Sequence, residues 1–127
     1  MSESELFEYL KRYWTDLNMS KDQYSKHDCF SESTKTRIEL KCRKTHYNDL
    51  MLERSKYIHL MVKHILYEEI PLYVNYTPKG IYCFDLRKLK PKWIIDNRMP
   101  KTTDFENTNK VQKEYCLISI YNSKIKL

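Results

Sequence analysis

The chain has very little glycine and no long apolar segment. Gly80 is the single glycine among 127 residues, which excludes the glycine-rich loops that cradle phosphate groups in mononucleotide-binding folds. No apolar run approaches the roughly 18 residues that a membrane-spanning helix needs. The acidic N-terminal residues also lack the pattern of a signal peptide. We therefore expect an intracellular, cytoplasmic protein with no membrane partner.

Cysteine and histidine are present, but not at the spacings that metal sites use. The chain has four of each, and no two cysteines form a Cys-x-x-Cys pair. His59 and His64 are five residues apart, which places them on different faces of a helix. Rather than a zinc site or a disulfide framework, we expect free thiols at the cysteines, which are Cys29, Cys42, Cys83 and Cys116.

The net charge is positive. Lysine and arginine number 23 and aspartate and glutamate 17, so the formal charge is +6 at pH 7. A basic balance favours anionic partners, nucleic acid first, although an ordinary protein surface can carry the same charge. The length predicts one domain, residues 1–127, and a hydrophobic content of 41% is enough for a core.

The first helix is predicted over residues 3–17. Apolar side chains recur there at three- and four-residue steps, and Ser2 with Glu5 fits a capping box at the start. Glu3 is the exception, because it falls within the apolar stripe. It is either part of a frayed first turn or an inward-facing carboxylate.

A second, stronger helix is predicted over Asp49–Glu69, where Pro71 stops it. Its apolar residues form a continuous stripe that we expect to face the core, namely Tyr57, Ile58, Met61, Val62, Ile65 and Leu66. The side chains expected to point outward include Arg54, Lys56, Lys63 and His64.

The remaining segments read mainly as strands. Residues 18–35 are ambiguous, since 22–30 could be a short strand or Ser20 and Gln23 could cap a helix. Alternation predicts a strand over 36–44, and a turn at Thr77–Gly80 predicts a hairpin of 72–76 with 81–86. Further strands are predicted over 93–96 and 114–121, on either side of a polar loop over 100–109. This order predicts an α/β or α+β domain with a mixed sheet.

One short segment carries the most chemistry. Thr36–Arg43 alternates apolar and charged residues, so Glu39 and Lys41 lie on one face of a strand. Asp28 lies upstream of this pair, with Asp22 as a rival. An acid and a lysine side by side on a rigid strand can hold a metal ion and a phosphate together. The residues alone favour a solvated strand face on which Glu39 and Lys41 form a cross-charged pair.

This order of residues resembles the PD-(D/E)XK nuclease superfamily. There a first helix often carries an acid, a strand brings an aspartate, the next strand brings (D/E)-x-K, and a helix follows. Glu3, Asp28, Glu39 and Lys41 occupy these positions in order, although no proline precedes Asp28. The likeness covers about residues 3–69. Residues 38–43 and 100–105 also resemble segments of small nuclease-like proteins of phages.

The resemblance implies a restriction-endonuclease-like fold with a leading helix, strands, a helix, a hairpin and further strands. It implies a metal-dependent endonuclease that hydrolyses phosphodiester bonds in DNA. Asp28 and Glu39 would bind Mg²⁺ (or Mn²⁺), Lys41 would assist the attacking water, and Glu3 would complete the acidic cluster. Lys56 would be a polar residue of the following helix that faces the site.

The expected partner is DNA. Basic side chains would track its phosphates, namely Arg43, Lys44, Arg54, Lys56, Arg87 and Lys88. One active site cuts one strand, so double-strand cutting would need a homodimer or two visits. The alternative is a non-catalytic viral accessory protein that binds nucleic acid or protein.

Overall fold

The computed structural model of the chain describes residues 1–20, 28–100 and 110–127. Two α-helices and nine strands lie in these ranges. The helices are α1 (Glu3–Leu10) and α2 (Arg54–Tyr67). The strands are β1 (Asn18–Met19), β2 (Asp28–Ser31), β3 (Thr36–Cys42), β4 (Asp49–Glu53), β5 (Ile70–Thr77), β6 (Gly80–Asp85), β7 (Ile94–Pro100), β8 (Lys110–Ser119) and β9 (Ile125–Lys126).

A six-stranded mixed sheet has the order β1-β2-β3-β5-β6-β9. The strand β3 pairs antiparallel with β2 and parallel with β5. A parallel pair requires a crossover connection, which β4 and α2 provide. The strands β5 and β6 then form the hairpin that the turn at Thr77–Gly80 predicted.

The two faces of this sheet are covered differently. On one face α1 packs through Leu6 and Leu10 against Ile38 and Leu40 of β3. On the other lie α2 and a second, three-stranded antiparallel sheet of order β4-β8-β7. The core on this side of the six-stranded sheet consists of Leu50, Leu52, Leu60, Tyr73, Tyr82, Phe84, Leu86, Cys116 and Ile118. The predicted mixed-sheet α+β architecture is confirmed.

The first helix begins as predicted but ends earlier. Ser2 and Glu5 form the capping box. The helix stops at Leu10, and Trp14 and Leu17 reach the core through tight turns, in which the Trp14 amide donates to the Leu10 carbonyl and the Leu17 amide to that of Trp14. These turns keep the three- and four-residue spacing of a helix without its regular ladder, which explains why the apolar period extended to residue 17.

The prediction of one helix over Asp49–Glu69 is wrong in its first turns. Residues 49–53 are strand β4, with Leu50 and Leu52 buried and Met51 between them half-buried. That period of two is a strand signal, which the longer helical pattern obscured. At the other end α2 stops at Tyr67, because Glu68 adopts a left-handed conformation (φ 58°) that caps the helix.

The predicted orientation of α2 is wrong for four of the six residues of the apolar stripe, whereas Tyr57 and Met61 pack against the core as predicted. Leu60 is its buried apolar residue, at 1% exposure. Lys56 and His59, by contrast, point at the six-stranded sheet. Most of the predicted core stripe lies on the outside, where we call it the α2 stripe. Its members are Ile58 (44% exposed), Val62 (44%), Ile65 (72%) and Leu66 (65%).

Other boundaries shift modestly. The strands β7 and β8 extend the predicted 93–96 and 114–121 segments towards the polar loop, whose residues 101–109 lie outside the described ranges. Residues 28–30 of the predicted 22–30 strand belong to β2, while residues 21–27, with Asp22 and the Gln23 of the alternative helix cap, lie outside the described ranges. Neither helix in the described ranges has the length and apolar character of a membrane span.

Candidate active site

Two buried carboxylates stand side by side on the α2 face of the sheet. Asp28 of β2 and Glu39 of β3 are direct partners in the antiparallel pair, so their side chains project from the same face. Asp28 is fully buried and Glu39 is 4% exposed. A single hairpin therefore places the two acids, which are well separated in sequence, directly beside each other.

Cations from α2 cover both acids. The Lys56 Nζ lies 3.2 Å from Oε1 of Glu39, and Nε2 of His59 lies 2.9 Å from Oδ2 of Asp28. The two residues are three apart on a helix, which places them on one face. The helix therefore sets one basic side chain over each carboxylate.

A third cation comes from β3 itself. Nη1 of Arg37 lies 3.3 Å from Oδ1 of Asp28, while its Nε and Nη2 donate to the two oxygens of Glu69, at 2.5 and 3.1 Å. Its guanidinium also stacks over Phe30, 4.6 Å from the ring centroid. The bidentate pair and the ring hold Arg37 in one orientation, and Arg37 in turn holds Asp28.

Burial governs the protonation of this cluster. It raises the pKa of Asp28, and the His59 hydrogen bond and the charge of Arg37 offset only part of that effect. Burial, with the charges of Asp28 and Glu39, raises the pKa of the adjacent Cys29 thiol to about 12. Burial opposes the charge of Arg37 as well, but hydrogen bonds and charges from Glu69 and Asp28 outweigh it and raise its pKa.

The predicted lysine of the motif stands near the acids without pairing with them. Lys41 shares the face of Glu39 and is half-buried, and it forms no hydrogen bond or ion pair within the described ranges. Its neighbour on β5 is Asn75, which is fully buried. The Asn75 Oδ1 accepts from Nε of Arg43 at 2.8 Å, whereas its Nδ2 has no hydrogen-bond partner among the residues that the structure describes.

Glu3 does not join the acidic pair. It lies on α1, across the sheet from α2, near the Cys42 thiol, where burial and the Glu3 charge raise the pKa of Cys42 to about 11. Cys42 packs with the α1 core, so Glu3 and the pair of Asp28 and Glu39 face opposite sides of β3. Glu3 is half-buried and lies at the start of α1, on the opposite side of the sheet from Asp28 and Glu39.

The donor set suits a magnesium-type site only in part. Within the described ranges no three residues of the His, Cys, Asp or Glu types group closely enough to hold a metal. Mg²⁺ is often held by one or two carboxylates, with water and substrate phosphate completing its shell, and Asp28 with Glu39 can supply that much. A cation would have to replace Lys56 beside Glu39 and compete with Arg37 and His59 at Asp28.

The architecture has a counterpart among solved structures. The chain matches Archaeoglobus fulgidus Hjc, a Holliday junction resolvase from an archaeal hyperthermophile, at a TM-score of 0.55 and 15% sequence identity. The match covers 99% of this chain and 91% of that one. This chain has the restriction-endonuclease-like fold. No protein-family model and no curated protein sequence matches it, and the phage likeness stays a prediction.

Within the restriction-endonuclease-like fold, several basic residues predicted to touch DNA are engaged by the protein itself. Arg43 bridges strands internally: its Nη2 donates to the Met51 carbonyl at 2.6 Å and to the Tyr73 hydroxyl at 3.1 Å. Arg54 pairs with Glu114 of β8, and Arg87 pairs with the neighbouring Asp85. Lys56 pairs with Glu39.

Other basic residues remain on the surface. Lys44 and Lys88 are exposed. Lys88 lies at the start of a loop that also presents Lys90 and Lys92 beside an open cleft of about 530 Å³. Lys88, Lys90 and Lys92 are better placed than Arg43 to meet a phosphate backbone, because their amines are exposed to solvent and the guanidinium of Arg43 is engaged within the fold.

Sequence reasoning missed three members of the cluster, which are Arg37, His59 and Glu69. The alternation in β3 could have pointed to Arg37, since this residue lies on the same strand face as Glu39. His59 lies one helical turn beyond Lys56, but this becomes informative only once α2 is known to turn its polar face inward. Glu69 follows the helix, and no local pattern links it to a side chain of β3.

We expect Arg37→Met to destabilise the fold strongly. The substitution leaves Glu69 and Asp28 as buried carboxylates short of a cation, and breaking a buried pair in this way costs about 3–5 kcal/mol. The matched control is Arg54→Met, whose ion pair with Glu114 is 46% and 34% exposed and should contribute at most about 1 kcal/mol. Urea unfolding of both variants measures the difference. Equal losses would contradict the buried network.

Proposed function

We propose that the protein is a divalent-metal-dependent nuclease acting on DNA. The observation that carries this proposal is the direct pairing of Asp28 with Glu39 on one face of adjacent strands, with Lys41 and Lys56 on the same side of the sheet. Two carboxylates on rigid strands and nearby ammonium groups are what phosphodiester hydrolysis needs. The likeness in fold to a resolvase supports the same class of chemistry.

In this proposal the role of each site residue follows from what it contacts. Asp28 and Glu39 would hold the Mg²⁺ or Mn²⁺ ion, which activates water and neutralises charge on the scissile phosphate. Arg37, fixed by Glu69, keeps the Asp28 carboxylate in place. His59 orients the second oxygen of Asp28. Strand backbones keep these distances fixed, which matters because small displacements cost much of the rate.

DNA would approach along the lysine-bearing loop and at the side of α2 where Lys56 is open to solvent, away from the α2 stripe. The net charge of +6 favours a polyanion, and the exposed side chains of Lys44, Lys88, Lys90 and Lys92 can follow phosphates. Such contacts carry no sequence information. Binding should therefore be salt-dependent and tolerant of sequence.

A second candidate is a DNA-binding protein without catalysis. It is favoured by the engagement of both Asp28 oxygens, one by Arg37 and one by His59, and by the pairing of Glu39 with Lys56. A site that the protein has filled with its own cations needs no metal to be stable. The two candidates differ in one outcome, which is cleavage in the presence of a divalent metal.

The nuclease proposal predicts that Glu39→Gln and Asp28→Asn abolish cleavage. Removing one negative charge from a two-carboxylate site should lower the rate by at least about 100-fold, because the charge that holds the metal is halved. Nicking of supercoiled plasmid and cutting of a four-way junction, with Mg²⁺ or Mn²⁺ and against EDTA, measure it.

The matched control for this assay is Glu53→Gln. Glu53 pairs with Lys113 near the surface and should leave cleavage unchanged. Wild-type protein that binds DNA but does not cut it with either metal would support the non-catalytic candidate. Cleavage that survives in both acid variants would place the chemistry elsewhere in the chain.

We also propose that the protein forms a homodimer through the α2 stripe. Its four residues form an apolar patch of the order of a few hundred Å², and large contiguous patches on monomers often mark interaction sites. Antiparallel pairing of two copies about Val62 would set Ile58 against Leu66 of the partner subunit. It would also bring the basic start of α2 at Arg54 near the acidic end at Glu68, with helix dipoles opposed.

The dimer proposal predicts that Ile65→Glu produces a monomer. A carboxylate in the middle of a small apolar interface would be buried without a cation, which is strongly unfavourable. Sedimentation velocity at several concentrations should show a two-subunit species for wild type and for the control Ile125→Glu, whose isoleucine is 47% exposed on β9, away from α2. A monomeric wild type would refute the dimer and leave the nuclease proposal standing.

A further inference from the structure

The lysine nearest to an acid of the site is not the lysine of the strand motif. Lys56 of α2 places Nζ 3.2 Å from Glu39. Lys41 of β3, two residues from Glu39 in sequence, pairs with no carboxylate within the described ranges. Strand geometry spaces residues i and i+2 roughly 6.5–7 Å apart along one face, so sharing that face does not by itself bring the Lys41 amine to the Glu39 carboxylate.

We infer that Lys56, rather than Lys41, is the catalytic lysine that contacts the scissile phosphate. This inference rests on the proposed nuclease function and assigns a role within that same site. Lys56 was expected from periodicity to lie on the outside of its helix, and from the family resemblance to face the site as an accessory polar residue. The contact with Glu39 places the Lys56 amine directly in the site.

Access to solvent supports this choice. The Lys56 side chain is 32% exposed, while that of Glu39 is 6% exposed. The amine therefore stands between the buried carboxylate and the solvent from which DNA must arrive. A lysine ammonium on a four-carbon stem can rotate from one oxygen to another. When a metal neutralises Glu39, Lys56 is free to donate to a phosphate oxygen within the same region.

The other cations of the cluster are less suited to this role. Arg37 is held by Glu69 and Phe30. His59 is hydrogen-bonded to Asp28. Lys63, on the same side of α2 two turns further on, lies 5.4 Å from the centroid of the Tyr67 ring. Among the described cations around Asp28 and Glu39, Lys56 is therefore the ammonium that is both beside one of the two acids and open to solvent.

Besides the divalent metal of the proposed site, the reaction consumes only one water. The oxygen of one water forms a bond to phosphorus, the bond from phosphorus to the leaving sugar oxygen breaks, and a proton of that water ends on the leaving oxygen. The Lys56 ammonium keeps its protons and donates hydrogen bonds to a non-bridging oxygen, where negative charge accumulates in the transition state.

The test compares three variants of the same chemical change, which are Lys56→Met, Lys41→Met and Lys63→Met. Single-turnover cleavage of a four-way junction with excess protein and Mn²⁺ gives the rate of the chemical step. Anisotropy of labelled DNA in Ca²⁺ gives affinity. We expect Lys56→Met to lower the rate by about 100-fold, as removal of one transition-state donor does, while the DNA Kd changes by less than about threefold.

Lys41→Met should lower the rate by less than about tenfold, through loss of a nearby charge, and Lys63→Met should leave it unchanged. A fourth variant, Lys56→Arg, keeps a cation over Glu39 and guards against misfolding. It should recover part of the rate, and circular dichroism of each variant checks that the fold is retained.

The outcomes separate the inference from the function on which it rests. A loss at Lys41→Met as large as or larger than that at Lys56→Met, with wild-type cleavage intact, overturns the role of Lys56 and leaves the nuclease in place. An equal weakening of DNA binding and cleavage in Lys56→Met would make Lys56 a phosphate anchor and would also overturn it. Absence of cleavage by the wild type removes both proposals.

Discussion

The carboxylates of Asp28 and Glu39 cannot remain charged under α2 unless cations lie beside them. Moving an unpaired charge into a protein interior costs several kcal/mol, and both acids are almost wholly buried. Lys56, His59 and Arg37 supply the compensation. The helix must therefore turn its polar side to the sheet. That single requirement fixes how α2 crosses from β4 to β5 and makes the electrostatic cluster, rather than apolar packing alone, the contact that orients it.

The outward position of the α2 stripe follows from the same requirement. A helix has one side available to the core, and here Lys56 and His59 share it with the apolar residues that pack inward, which are Tyr57, Leu60 and Met61. Ile58, Val62, Ile65 and Leu66 are left facing away from the sheet. Each of the four is at least 44% exposed, and we propose a second copy of the chain as their cover. In that proposal the catalytic cluster and the dimer interface lie on opposite sides of one helix.

Much of the fold could be predicted from local patterns, whereas the site could be predicted only in part. The alternation in β3, the hairpin turn and the capping box at Ser2 depend on neighbouring residues, and each is as expected. The orientation of α2 is not, because hydrophobic periodicity assumes that apolar residues face the core, and the demand of two buried acids from β2 and β3 outweighs it here. Asp28 and Glu39 could be singled out from the local strand pattern. The roles of Arg37, His59 and Glu69 could not be predicted, because they exist only through contacts between distant segments.

The central claim is that Asp28 and Glu39 form a metal-binding pair from which Lys56 withdraws when the metal arrives. Diffraction from crystals soaked in Mn²⁺, with anomalous scattering used to locate the ion, tests it most directly. The account predicts a single peak about 2.0–2.6 Å from oxygens of both carboxylates, with the Lys56 amine turned away from Glu39. Crystals in which Lys56 still contacts Glu39, and which show no manganese peak at the pair, would contradict it.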